Sequence, residues 1–105
     1  MKTVITSVSD NLNTEFDKRF GRAAWFCVLD ESTGEVSFVK NEYADNDQGA
    51  GTKVAALMVE LGVKKVISGH FGPKAQEVLK KFDVQMVATE EETSVSEIIN
   101  KLKNR

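Results

Sequence analysis

The sequence of 105 residues contains one cysteine, one histidine and one proline. A single cysteine excludes an intramolecular disulfide and any cluster site built from four thiolates of one chain. No apolar run approaches the ~20 residues that a membrane-spanning helix needs, and the N-terminus lacks the profile of a secretory signal. These absences predict a cytoplasmic protein that makes no use of a membrane.

The sequence also lacks an excess of positive charge. Fourteen Lys and Arg residues stand against 16 Asp and Glu residues, for a formal net charge of −2. This balance argues against a nucleic-acid partner, because such binders neutralise phosphates with Lys and Arg. A chain of this length forms a single core, so we predict one domain over residues 1–105.

The stretch from Val66 to Ala75 holds both the histidine and the proline. It has the pattern of a buried strand, a loop bracketed by Gly69 and Gly72, and a helix that Pro73 opens. We expect the two glycines to turn the chain sharply and to leave N–H groups bare beside the positive end of the helix dipole. Such a loop favours an anionic ligand, with the imidazole of His70 beside it.

Hydrophobic periodicity and turn residues predict five strands and three helices. A polar segment, residues 12–22, separates the first two strands and is expected to be a long loop that Phe16 and Phe20 order. Gly62 is expected to end the first helix, and Thr93 or Ser94 to cap the third. The strands are expected at residues 3–8, 24–30, 35–40, 66–68 and 84–88. The second helix is expected at 73 to about 81, with Ala75, Val78, Leu79 and Phe82 on its buried face.

The predicted element order is β-β-β-α-β-α-β-α. Three strands joined by a loop and a hairpin form an antiparallel meander, whereas the later strand–helix–strand units need right-handed crossovers and parallel pairing. The order therefore predicts an α/β fold with a ribonuclease-H-like mixed sheet of five strands, covered by helices.

Open α/β sheets bind ligands at the carboxyl ends of their parallel strands. The topology places three segments at this edge: the loop at residues 9–22, Gly49–Gly51 and Ser68–Pro73. We call this edge the rim. No single motif here is specific, and the prediction of a binding site depends on their convergence with a basic cluster of Lys18, Arg19 and Arg22.

Several residues allow two interpretations. His70 is either a metal or cluster ligand or a loop histidine that hydrogen-bonds backbone near a helix start. The mid-strand position of Cys27 favours burial over a thiolate ligand, which needs an electropositive, partly exposed place. Gly49–Gly51 lacks the signatures of a P-loop and of a dinucleotide site, so it indicates either an anion cradle or close helix–sheet packing.

A two-metal nuclease is a further possibility, since such enzymes use paired carboxylates. Their first strand carries an acid, and Thr3–Val8 has none, which disfavours this hypothesis. The carboxylates considered for it are Asp10, Asp45, Asp47, Glu90, Glu91 and Glu92.

Four motifs together resemble the dinitrogenase iron–molybdenum cofactor biosynthesis family, which includes NifX-type carriers and the carboxy-terminal domain of NifB-type proteins. The likeness extends from about Val4 to Leu102 and implies a ribonuclease-H-like fold. It also implies a non-catalytic carrier of iron–sulfur or iron–molybdenum cofactors or their precursors. The motifs are Phe20-Gly21-Arg22-Ala23, Gly49-Ala50-Gly51, Gly62-Val63 before Val66-Ile67, and Gly72-Pro73-Lys74-Ala75.

The resemblance further implies where the cofactor binds. His70 would be the metal ligand, and an anionic cluster would arrive preassembled, with cofactor-assembly or acceptor proteins as partners. The alternative is a regulatory or interaction domain of the same fold without a metal cluster. The implied binding face comprises Phe20, Gly21, Arg22, Gly49, Ala50, Gly51, Ser68, Gly69, His70, Phe71 and Gly72.

Overall fold

The computed structural model describes residues 1–46 and 48–103. Its element order is the predicted one, and strand boundaries agree to within one residue except at β4, which begins three residues earlier than expected. Asp47, one of the carboxylates considered for a nuclease, lies outside the described residues. The elements are β1 Lys2–Ser7, β2 Trp25–Asp30, β3 Val36–Lys40, α1 Ala50–Glu60, β4 Val63–Ser68, α2 Pro73–Lys81, β5 Gln85–Ala88 and α3 Val95–Lys103.

The five strands form one mixed sheet in the order β3-β2-β1-β4-β5. β2 is antiparallel to both β1 and β3, whereas β4 is parallel to β1 and β5 is parallel to β4. This arrangement confirms the ribonuclease-H-like prediction. The carboxyl ends of β1, β4 and β5 therefore share one edge, which is the rim.

Two apolar clusters cover the two faces of the sheet. Successive strand residues point to opposite faces, so Val4 enters one cluster and Ile5 the other. The first cluster contains Val54 and Met58 of α1 with Leu79 of α2. The second contains Val95, Ile98 and Ile99 of α3.

The long loop between β1 and β2 is anchored on both faces. Phe16 is buried in the cluster beneath α3, and Phe20 is buried in the cluster beneath α1 and α2. Both rings order the loop, as expected, but on opposite sides of the sheet. The segment between them, residues 17–19, therefore crosses the carboxyl end of the central strands.

At the helix ends, the prediction for Gly62 is confirmed and the prediction for Phe82 is wrong. Gly62 follows α1 with φ 74°, the left-handed conformation of a glycine just past a helix end. Phe82, expected on the buried face of α2, is 49% exposed. The helix ends at Lys81, and Asp83 turns the chain with φ 58°, so Val84 is buried there instead. Among the described residues, no helix is long and apolar enough to cross a membrane.

Candidate functional site

The segment at residues 17–20 runs alongside the loop that follows β4. The N–H of Gly69 donates to the carbonyl oxygen of Lys18 at 3.1 Å, and the N–H of Phe20 donates to that of His70 at 3.3 Å. Arg19 and His70 form an isolated parallel bridge. The histidine loop is therefore fixed to the loop between β1 and β2.

The same segment continues to the N-terminus of α1. A Cβ placed on Gly21 would lie 2.9 Å from both the Cα and the nitrogen of Gly51, closer than real Cβ contacts. The two backbones thus touch with no side chain between them. Residues 18–21 consequently connect the His70 loop to the start of α1, and the structure brings both to the rim.

The structure corrects one expectation for the two glycines of the histidine loop. Neither has a positive φ, and Gly72 has φ −67° as the N-cap of α2. The N–H of Gly69 is not bare, because it donates to Lys18. Gly69 is needed for space: a Cβ there would lie 2.5 Å from the Cβ of Lys18. The expectation of a bare N–H was therefore wrong for Gly69, and the close approach of Lys18 explains why a glycine is needed there.

Four predicted binding residues have buried side chains: Phe20, Ala50, Ser68 and Phe71. The rings of Phe20 and Phe71 pack with centroids 5.1 Å apart, a favourable aromatic pair that holds the two loops together. Their burial leaves little of these four residues for a ligand to contact. Their side chains position the rim.

The exposed part of the predicted site consists of His70, Arg22 and two helix starts. Gly49 and Gly72 are the N-caps of α1 and α2, and among the described residues neither helix start shows a side-chain capping bond. The first N–H groups of a helix have no partner within it, so these two starts offer donors. Arg22 donates through Nη1 to the carbonyl oxygens of Ala44, at 2.9 Å, and Asn46.

Two of the three cations in the predicted basic cluster are already ion-paired. Lys18 pairs with Glu92. The guanidinium of Arg19 donates from Nε and Nη2 to the two carboxylate oxygens of Asp17, at 3.1 and 3.0 Å. The positive charge available at the rim is therefore smaller than the sequence suggested.

A buried hydroxyl pair supports the rim from below. The hydroxyl of Thr6, at the end of β1, lies 2.9 Å from the hydroxyl of Ser68, at the end of β4. It also bonds the carbonyl oxygen of Asp17. Sequence reasoning missed Thr6 and Asp17 as structural supports. The available signal was a threonine near the end of a buried strand that points at the predicted site.

The side chains that could bind a metal ion are dispersed in the part of the chain that the structure describes. Among them, no group of three His, Cys, Asp or Glu side chains is placed to hold a metal ion. Cys27 is fully buried, and burial raises the pKa of its thiol to about 12. Its position agrees with the structural interpretation of this cysteine, because a thiolate ligand needs a lowered pKa.

One family profile and one relative match most of this chain. The sequence profile described as dinitrogenase iron-molybdenum cofactor matches residues 1–105. An uncharacterised protein of Methanocaldococcus jannaschii is 30% identical over 90 residues, which are 83% of this chain and 75% of that protein.

Solved structures share the fold over almost the whole chain. The apo form of the orange protein from Desulfovibrio gigas superimposes with a TM-score of 0.90 at 27% identity, covering 98% of this chain and 87% of that one. A NifB-like protein from Thermotoga gives a TM-score of 0.84 at 33% identity, with the same coverages of 98% and 87%.

Proposed function

The chain belongs to the dinitrogenase iron-molybdenum cofactor family, and on this premise we propose that it binds and carries an anionic iron–molybdenum or iron–sulfur type cofactor or precursor without catalysing a reaction. The cofactor would bind preassembled at the rim. One observation carries this proposal: residues 18–21 contact both the His70 loop and the start of α1, so an imidazole and a helix N-terminus lie on one edge.

The donors at the rim suit an anion. Within residues 1–46 and 48–103, no side-chain capping bond is seen at the starts of α1 and α2. Each helix start stabilises a negative charge by about 0.3–1 kcal/mol. Arg22 adds a guanidinium held by two backbone carbonyls. These contributions are individually modest, which suits a carrier that must release its cargo.

The ligand set also favours a finished cluster over assembly on this chain. His70 is exposed and is the chain's single histidine, and the single cysteine is buried in the sheet. One imidazole cannot hold a bare metal ion alone, so the remaining ligands would belong to the cargo itself. Cofactor-assembly or acceptor proteins would then deliver and receive the cluster.

Binding under anaerobic conditions tests this function. Purified protein is mixed with isolated iron–molybdenum cofactor, and gel filtration measures how much chromophore elutes with the chain. We expect binding by the wild type and weaker binding by His70→Ala. Lys80→Ala serves as a control, because it removes an exposed side chain from the far end of α2.

Two outcomes would count against the proposal in different ways. Absence of chromophore from the wild-type peak would favour the alternative, an interaction domain of this fold without a cluster. Equal binding by wild type and His70→Ala would remove the imidazole from the site while leaving a carrier role through the helix starts and Arg22.

A further inference from the structure

The ion pair between Asp17 and Arg19 has an unusual distribution of exposure. The Asp17 side chain is 5% exposed, whereas that of Arg19 is 67% exposed. Three bonds join them: the carboxylate accepts from Nε and Nη2 of Arg19, and also from the backbone N–H of Arg19 at 3.0 Å. A buried carboxylate thus fixes an outward-facing guanidinium.

Burying a carboxylate costs free energy, and exposed ion pairs return little of it. A contribution to folding stability therefore does not by itself explain this ion pair. Its geometric effect is clear, since two parallel N–H···O bonds hold the guanidinium in one plane and orientation. Arg has five N–H donors, and this pair uses two of them.

The backbone of Arg19 lies beside that of His70. Residues paired across two strands point to the same face, and Arg19 is paired with His70. The alternate residues Phe20 and Phe71 both turn inward and are buried. Arg19 and His70 are both exposed, so their side chains leave the rim on the same side.

We propose that Arg19, oriented by Asp17, is a binding residue that receives an oxyanion group of the cargo, such as a carboxylate, next to His70. This inference rests on the proposed function. The N–H groups of the guanidinium that Asp17 does not use would donate to the oxygens, while the imidazole would meet the metal. Asp17 is a positioning residue, because it acts through Arg19 and does not touch the ligand.

The direction in which Asp17→Asn changes cofactor affinity distinguishes two roles for Asp17: orienting Arg19 or only neutralising its charge. If Asp17 only neutralised Arg19, Asp17→Asn would raise the rim's positive charge and bind an anionic cofactor more tightly. If Asp17 orients the guanidinium, the same variant binds more weakly. The backbone bonds of residue 17 to Thr6 do not involve the carboxylate, so they can persist in the variant.

Binding of isolated iron–molybdenum cofactor is measured for wild type, Asp17→Asn, Arg19→Lys and Arg19→Gln. Arg19→Lys keeps the charge and loses the planar fork, and Arg19 is exposed enough for both variants to fold. Because hydrogen bonds to charged groups are strong, we expect affinity to fall about tenfold or more in all three variants.

A spectroscopic measurement isolates the orienting role. The Nε–H resonance of Arg19, observed by ¹⁵N NMR, should be resolved in the wild type, shift on adding the cofactor, and be lost in Asp17→Asn. Wild-type affinity in Arg19→Lys, or tighter binding by Asp17→Asn, would overturn this inference and leave the carrier function standing. No binding by the wild type would instead overturn the carrier function.

Discussion

Gly69 lies against Lys18 so closely that no side chain fits between them. A Cβ on Gly69 would be 2.5 Å from the Cβ, 2.8 Å from the Cα and 2.9 Å from the carbonyl oxygen of Lys18. The N–H of Gly69 also donates to that oxygen. Since His70 follows directly, the position of the imidazole depends on this contact.

Gly69→Ala should therefore be destabilising, by about 1–3 kcal/mol, because the new methyl group meets backbone that cannot move aside easily. Urea unfolding measures the loss. Gly72→Ala is the matched control: nothing lies within 4 Å of its Cβ position and its φ is −67°, so we expect a change below about 1 kcal/mol. Equal effects from the two substitutions would contradict the close-approach explanation.

Gly21 and Gly51 touch each other, yet their substitutions should have opposite effects. Gly21→Ala places a methyl group 2.9 Å from the backbone of Gly51 and should cost about 1–3 kcal/mol. Gly51 lies within α1, and Gly51→Ala adds a methyl group in ordinary van der Waals contact with the Cβ of Ala75, at 3.6 Å. Alanine is the better helix former, so stability should rise by about 0.5–1 kcal/mol. Thermal unfolding of both variants measures whether the melting temperature falls for Gly21→Ala and rises for Gly51→Ala.

The element order was predictable because β-branched runs, helical spacing and the positions of glycine and proline all agreed. Gly62 shows this well, since its place after an apolar helix predicted the left-handed conformation it adopts. The topology then placed His70 near the start of α1 without any knowledge of side-chain contacts. Local patterns sufficed for the architecture.

The details of the rim were not predictable, because they are contacts between segments far apart in sequence. A glycine is needed at position 69 because Lys18, which is 51 positions earlier in the chain, approaches it closely. The ion pairs that offset Lys18 and Arg19 likewise depend on where the loop crosses the sheet. Composition revealed the cations but not their partners.

Cys27 should make the stability of the protein fall at alkaline pH. Burial raises the pKa of its thiol from 9.0 to about 12. Between these values the unfolded chain has lost the thiol proton and the folded chain keeps it, so the free energy of unfolding decreases as pH rises. Below pH 9 the contribution is fully present.

Urea unfolding of wild type and Cys27→Ala at pH 8 and pH 10 measures this effect. Other titrating groups are common to both proteins and cancel in the comparison. We expect the wild type to lose more stability than the variant between the two pH values. An identical loss in both proteins would mean that the thiol is not protected by burial.

Thr6 should couple the central strands to the rim. Its hydroxyl bonds the hydroxyl of Ser68 and the carbonyl oxygen of Asp17, all in the interior. Thr6→Val keeps the shape of the side chain but leaves those two groups without this partner, so we expect a loss of about 1–3 kcal/mol.

A double-mutant cycle with Ser68→Ala tests whether the two hydroxyls act together. Once Ser68 has lost its hydroxyl, Thr6→Val leaves only the Asp17 carbonyl unsatisfied, so the double variant should be more stable than the sum of the single losses implies. The same variants should weaken cofactor binding, since Thr6 fixes the segment that carries Arg19 and contacts His70. Strict additivity would show that the 2.9 Å contact between the hydroxyls contributes nothing to folding.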